Sequence, residues 1–104
     1  MKNKTFALAA ATLALAISGA VQAGGAELYQ SKTCWSCHGK DAKSPVLPIY
    51  PKLAGQNEAY LLNQMKDIKS GTRNNGQSAA MKGVMGMVNE AEMAEIAKWL
   101  AGLK

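Results

Sequence analysis

The sequence predicts an all-α domain in which three main helices are joined by long loops. Apolar residues recur at helical spacing in two stretches, Leu61, Met65 and Ile68, then Met93, Ile96, Ala97 and Leu100. Each stretch is introduced by an asparagine suited to cap a helix, Asn57 or Asn89. No stretch after residue 23 alternates polar with apolar for long enough to make a strand. The third observation is the pentapeptide Cys34-Trp35-Ser36-Cys37-His38. Two thiols three positions apart, followed at once by a histidine, let both sulfurs join the vinyl groups of one haem while the imidazole reaches its iron. A structural zinc site wants four nitrogen or sulfur ligands, and the chain offers Cys34, Cys37 and its single histidine. A redox dithiol needs only the two cysteines, but it belongs at a helix start after a strand, and no strand precedes Cys34. That pair, redox-active or a structural disulfide, stands as the alternative to c-type haem attachment.

In chain order, Met1-Lys2-Asn3-Lys4, an apolar run from Phe6 to Ile17 and small residues up to Ala23 make the three-part pattern of a secretory signal. The apolar run is about a dozen residues, short of the roughly twenty that span a bilayer. Removal after Ala23 leaves residues 24–104 as one domain. Gly25 to Lys32, with Leu28 and Tyr29 on one side, reads as a short helix leading to Cys34. After His38 the chain is loop, and prolines at 45, 48 and 51 forbid a regular helix until the last is passed. The apolar members of that loop, Val46, Leu47, Ile49, Tyr50 and Leu53, are expected against a haem face or edge.

Asn57 caps a helix from Glu58 to about Ser70, with Gly71 as its stop. From Gly71 to Gly86 glycine and asparagine are dense, and the stretch reads as a loop carrying Met81 and Met85. Asn89-Glu90-Ala91-Glu92 is close to a capping box and opens the last helix, which ends at Gly102.

Without its first 23 residues the chain loses Lys2 and Lys4 of its 12 basic residues and none of its 7 acids, so a formal +5 becomes +3. The remaining basic residues are dispersed, which argues against a nucleic-acid groove. Lys40, Lys43, Lys52 and Lys82 lie within a few residues of His38, Pro51 or Met81. They read either as a positive surround for a haem edge or as ordinary solvated lysines. A domain of this size gains only marginal stability from one core, and a covalently held porphyrin would serve as its staple.

The order of features resembles the class I cytochromes c: short helix, Cys-X-X-Cys-His, proline loop, middle helix, methionine loop, last helix. It is most similar to small bacterial periplasmic carriers of the cytochrome c4, c5 and c-553 kind. The matching stretches are Tyr50-Pro51-Lys52-Leu53-Ala54-Gly55-Gln56, Lys69-Ser70-Gly71-Thr72-Arg73, and Met81 followed by Val84, Val88, Asn89 and Glu90. The resemblance implies one haem c on Cys34 and Cys37, with His38 and Met81 as axial ligands of its iron. It further implies a Pro51 carbonyl bonded to the outer nitrogen of the His38 ring, Gln56 and Arg73 near the haem propionates, and Gly25 and Trp99 where the terminal helices cross. Trp35, between the cysteines, departs from the family's usual small or polar residue and is either a shield for the haem edge or a partner contact.

Three methionines outside the helix stripes are candidates for a sixth ligand, Met81, Met85 and Met87. The family position selects Met81 and leaves Met85 and Met87 as adaptable core fillers. A closed, doubly ligated haem suits electron transfer, whereas an open one suits peroxidase chemistry or gas sensing. The reading is therefore a periplasmic one-electron carrier, not a substrate-converting enzyme. It is monomeric and not membrane-spanning once processed. Its partners would be redox proteins such as a quinol-oxidising complex, a terminal oxidase or a reductase. The alternatives are a haem subunit of a larger dehydrogenase and an open-site peroxidase or sensor.

Overall fold

The computed structural model describes residues 23–104, so the expected leader, all but its last residue, lies outside the described residues. Five helices follow in order: α1 Gly25–Ser31, α2 Trp35–His38, α3 Glu58–Ser70, α4 Ser78–Met85 and α5 Glu90–Ala101. No strand occurs among the described residues.

The helix ends are set by side chains that satisfy otherwise orphaned backbone groups. Asn57 Oδ1 accepts the Tyr60 amide at 2.9 Å to start α3. At the other end Gly71, with φ 88°, takes the left-handed conformation that stops the helix cleanly. At the start of α5 the Asn89 side chain accepts the Glu92 amide at 2.8 Å, and Glu92 accepts the Asn89 amide at 3.0 Å. That amide, with Lys32 nearby, holds the Glu92 carboxyl below the usual carboxylate range.

Helix α5 is the one on which the others are assembled, packing against both α1 and α3, while α4 lies against α3. Its crossing with α1 is closed by Gly25, where an added Cβ would collide with Trp99 Cβ and the Glu95 carbonyl. The close approach lets Trp99 stack obliquely on Tyr29, ring centroids 5.1 Å apart and planes at 49°. Leu28, Leu61, Ile68, Met93, Ile96 and Leu100 are buried between the three helices. On the rim, Lys32 reaches Glu92 at 3.5 Å and Lys66 reaches Glu90 at 3.7 Å. The second pair is exposed and adds little; the first is half-buried.

Three expectations are corrected. The stretch from Gly71 to Gly86 is not all loop, because α4 occupies Ser78–Met85. Its glycines and asparagines cluster at 71–76, and the Ala79-Ala80-Met81-Lys82 run that follows is made of good helix formers that tolerate one exposed Gly83. Met87 is no core filler: it stands 60% exposed just past the end of α4. Val46 and Leu47, expected against the cofactor, are exposed as well.

Gly25→Ala should force α1 away from α5 and cost about 3 kcal/mol, as overpacking against backbone does. Chemical denaturation of the haem-loaded protein measures it.

Candidate functional site

Helix α1 delivers the chain to the cysteine turn: the Cys34 amide bonds the Tyr29 carbonyl at 3.0 Å, and the His38 amide bonds the Cys34 carbonyl at 3.1 Å. Within that turn Cys34, Cys37 and His38 stand at i, i+3 and i+4, so the three side chains share one face. Gly39 then reverses the chain with φ 89°. The Tyr29 hydroxyl, buried under Trp99, donates to the Gly39 carbonyl at 2.6 Å and ties the reversal to α1.

The loop beyond is closed by its own backbone. Ala42, fully buried and left-handed at φ 59°, accepts the Leu53 and Ala54 amides at 2.9 and 3.1 Å through its carbonyl. The Val46 amide reaches the Cys37 carbonyl at 3.0 Å. These bonds carry Pro51 back to the histidine, where its carbonyl accepts from His38 Nδ1 at 3.0 Å. The Tyr50 ring lies 6.3 Å from the imidazole, tilted 53°.

The result is a cavity of about 350 Å³ to which all five helices contribute side chains. Its size falls within the range of small-molecule and cofactor sites, roughly 300 to 1,000 Å³. Cys34, Cys37, His38, Pro51, Gln56, Arg73 and Met81, the residues singled out in the sequence, all line it. Met81 enters from α4 and His38 from α2. Arg73 Nη1 donates to Gln64 Oε1 at 2.9 Å, and the Gln56 amide donates to the Lys52 carbonyl. Lys40, Lys43, Lys52 and Lys82 are exposed and do not line the cavity.

Gln64, Tyr60, Met65 and Met85 also line the wall and escaped the sequence reading as cavity residues. A signal was present for α3: Tyr60, Leu61, Gln64, Met65 and Ile68 run at i, i+1, i+4, i+5 and i+8, a face wider than a core stripe requires.

The surroundings of Cys34 and His38 bear on the readings of the cysteine motif. Burial lowers the His38 pKa, with the Pro51 carbonyl opposing it, so the ring is neutral near pH 7. With Nδ1 donating to Pro51, the lone pair is left on Nε2 as an iron ligand requires. Burial pushes the Cys34 thiol up to about 11, against its own backbone hydrogen bond. A redox-active dithiol needs the opposite, a depressed thiol pKa. Neither cysteine is in a disulfide. Two free thiols and a pre-oriented neutral imidazole on one face of a largely apolar cavity fit a covalently attached haem.

The profile of the Cytochrome c family matches residues 22–104. The chain belongs to the cytochrome c family. It is 42% identical over 95 residues to cytochrome c4 of Pseudomonas aeruginosa, an alignment covering 88% of this chain and 45% of that protein. Cytochrome c4 of Azotobacter vinelandii is 37% identical over 94% of this chain and 50% of its own length. Cytochrome c-554(548) of Halomonas halodenitrificans is 35% identical over 74% of this chain and 94% of its own length. The chain thus spans about half the length of its cytochrome c4 relatives. Haem c is the covalent cofactor of this cytochrome c, and Cys34 and Cys37 have the spacing that attaches it.

Tyr29→Phe removes the buried donor to Gly39 and should cost about 1 to 2 kcal/mol, the penalty for an orphaned carbonyl. A lowered thermal midpoint of the haem-loaded protein, with unchanged helix content, is the expected outcome.

Proposed function

We propose that the protein is a periplasmic one-electron carrier with His38 and Met81 as the axial ligands of a haem held by Cys34 and Cys37. On this reading residues 1–23 are an export signal and 24–104 a haem domain. The observation that carries the reading is the convergence on one cavity of a cysteine-histidine face from α2 and a thioether from α4. When bound, the haem supplies the ferric/ferrous couple. The chain supplies its surroundings. The Pro51 carbonyl fixes the imidazole plane and raises its basicity through Nδ1. Arg73, held by Gln64, and Gln56 offer donors to the propionates from the cavity wall. The apolar side chains of α3 and α5 that line the cavity would limit the access of water to a bound haem, and burial is one of the levers by which a protein tunes haem.

An open-site peroxidase or sensor is the weaker reading. The chain's one histidine is turned to Pro51 and the cysteine face, and no second imidazole exists for proton work on a bound ligand. Service to a dehydrogenase has an observation in its favour. A thiosulfate dehydrogenase electron acceptor of Thiomonas intermedia is 32% identical over 93% of this chain. Quinol-oxidising complexes, terminal oxidases and reductases remain the other donor and acceptor classes for such a carrier. Among the described residues no helix is long and apolar enough to cross a membrane.

A thioether is a soft donor that favours ferrous over ferric iron. Met81→Ala should therefore lower the reduction potential, remove the weak far-red sulfur-to-iron absorption of the ferric protein and admit carbon monoxide to the ferrous one. Met85→Ala, one turn on, should leave all three unchanged and cost about 2 to 5 kcal/mol of stability, since Met85 is fully buried. Spectroelectrochemistry of the two variants separates them, and an open iron in Met85→Ala alone would assign the ligand to that residue instead.

A further inference from the structure

Helix α4, which carries Met81, is the long helix least able to hold its own place. It has 8 residues, Gln77 at its start makes no side-chain capping bond, and Gly83 stands inside it. Helices α3 and α5 are each capped by an asparagine, and α5 packs against both α1 and α3. Helix α4 packs broadly on α3 alone, with Ala79, Ala80, Lys82 and Gly83 exposed. Segments with few buried contacts are the first to open. A thioether carried by such a helix needs a tie from elsewhere.

Lys69, in the last turn of α3, supplies one. Its ammonium donates to the Val88 carbonyl at 2.5 Å. Val88 is fully buried, and no amide among the described backbone bonds reaches that carbonyl, so Lys69 is its donor. The joint itself is a tight continuation of α4. The Gly86 amide bonds the Lys82 carbonyl at 3.0 Å, the Met87 amide that of Val84 at 3.0 Å, and the Val88 amide that of Met85 at 3.1 Å. Fixing residue 88 therefore fixes the end of the helix opposite its uncapped start. Lys82 makes a second approach, from α4 to α3. Its Nζ stands 3.1 Å from where a Cβ on Gly71 would lie, at the C-terminal end of α3, where unpaired carbonyls favour a cation. Neither lysine lines the cavity, so neither touches a cofactor there.

We propose that Lys69 is a positioning residue for the sixth iron ligand: through the Val88 carbonyl it keeps α4 seated, and so sets how often Met81 leaves the iron and admits a competing ligand. This rests on the reading of Met81 as an axial ligand. A charged donor on a carbonyl is among the stronger hydrogen bonds, and this one is partly shielded from water. Without Lys69 the Val88 carbonyl is left orphaned at the joint, and α4 keeps only its packing on α3 and the approach of Lys82. Lys69→Arg retains a donor of the same charge and similar reach. Lys66, one turn earlier on α3, pairs instead with the exposed Glu90 carboxylate at 3.7 Å and serves as the control.

The test follows imidazole binding to the haem-loaded ferric protein by stopped-flow absorbance. Where Met81 must leave before imidazole enters, the rate levels off at high imidazole, and the plateau is the rate of that departure. Lys69→Ala should raise the plateau about tenfold, the weight of one hydrogen bond to a charged group, while Lys69→Arg and Lys66→Ala should stay within about twofold of the unmodified protein. In a Met81→Ala background, Lys69→Ala should change the imidazole rate by less than about twofold, because no departure remains to be controlled. A plateau unmoved by Lys69→Ala, with a lowered thermal midpoint, would make the bond structural support alone and overturn the proposal. So would an equal rise in Lys66→Ala, or a rise that persists in the Met81→Ala background. Should Lys69→Ala not retain its haem, Lys69→Gln is held to the same outcomes. An unmodified protein whose imidazole rate grows without a plateau and whose ferric spectrum lacks the far-red absorption would instead remove Met81 as the ligand, and the proposal with it.

Discussion

The bond between His38 Nδ1 and the Pro51 carbonyl is the constraint on which the rest of the site depends. An imidazole offered to iron must have one nitrogen occupied and its plane fixed, or its lone pair points nowhere in particular. Holding it requires that residue 51 return to residue 38, and the chain arranges this with main-chain bonds. The left-handed Ala42, an uncommon conformation for a residue with a Cβ, holds both ends of the returning loop through its single carbonyl. Its strain sits at the point where the loop closes, next to the site it serves.

Behind that loop stands a second set of ties that reach the opposite end of the chain. Tyr29 is bonded to Gly39 through its hydroxyl and stacked on Trp99 through its ring, so it couples the haem motif to the crossing of α1 and α5. Gly25 permits the crossing by having no side chain. Lys69 extends the framework by donating to the Val88 carbonyl at 2.5 Å, which pins the connection between α4 and α5 to α3. A small domain with few large core residues is in this way held by a handful of long-range polar bonds around a space, and filling that space with a cofactor completes the core.

Much of this was legible in the sequence because it rests on local chemistry. Asn57, Gly71, Asn89, Glu92 and Gly102 mark helix ends by what their own side chains or their lack of one permit, and the structure places the ends of α3 and α5 there. The cysteine motif fixes three side chains within one turn and so reads directly. Helix α4 did not read, because the density of glycine and asparagine was averaged over a stretch whose helix formers are concentrated at its far end. Met87 and the Val46-Leu47 pair did not read either. Apolar character states that burial is favourable, but whether a loop turns inward is decided by backbone bonds such as that from Val46 to Cys37, which no spacing rule reveals. The width of the α3 face hinted at Gln64 as a wall residue, but its bond to Arg73 is set by the fold and has no signal in the spacing.

On the proposed reading the iron of the native protein is held on both sides by the chain. An optical titration of the isolated ferrous protein with carbon monoxide tests it most directly. Ligation by both His38 and Met81 predicts a spectrum that does not change at concentrations that saturate five-coordinate haem; a spectrum that converts fully to the carbonyl form would contradict it and leave an open-site haem protein in its place.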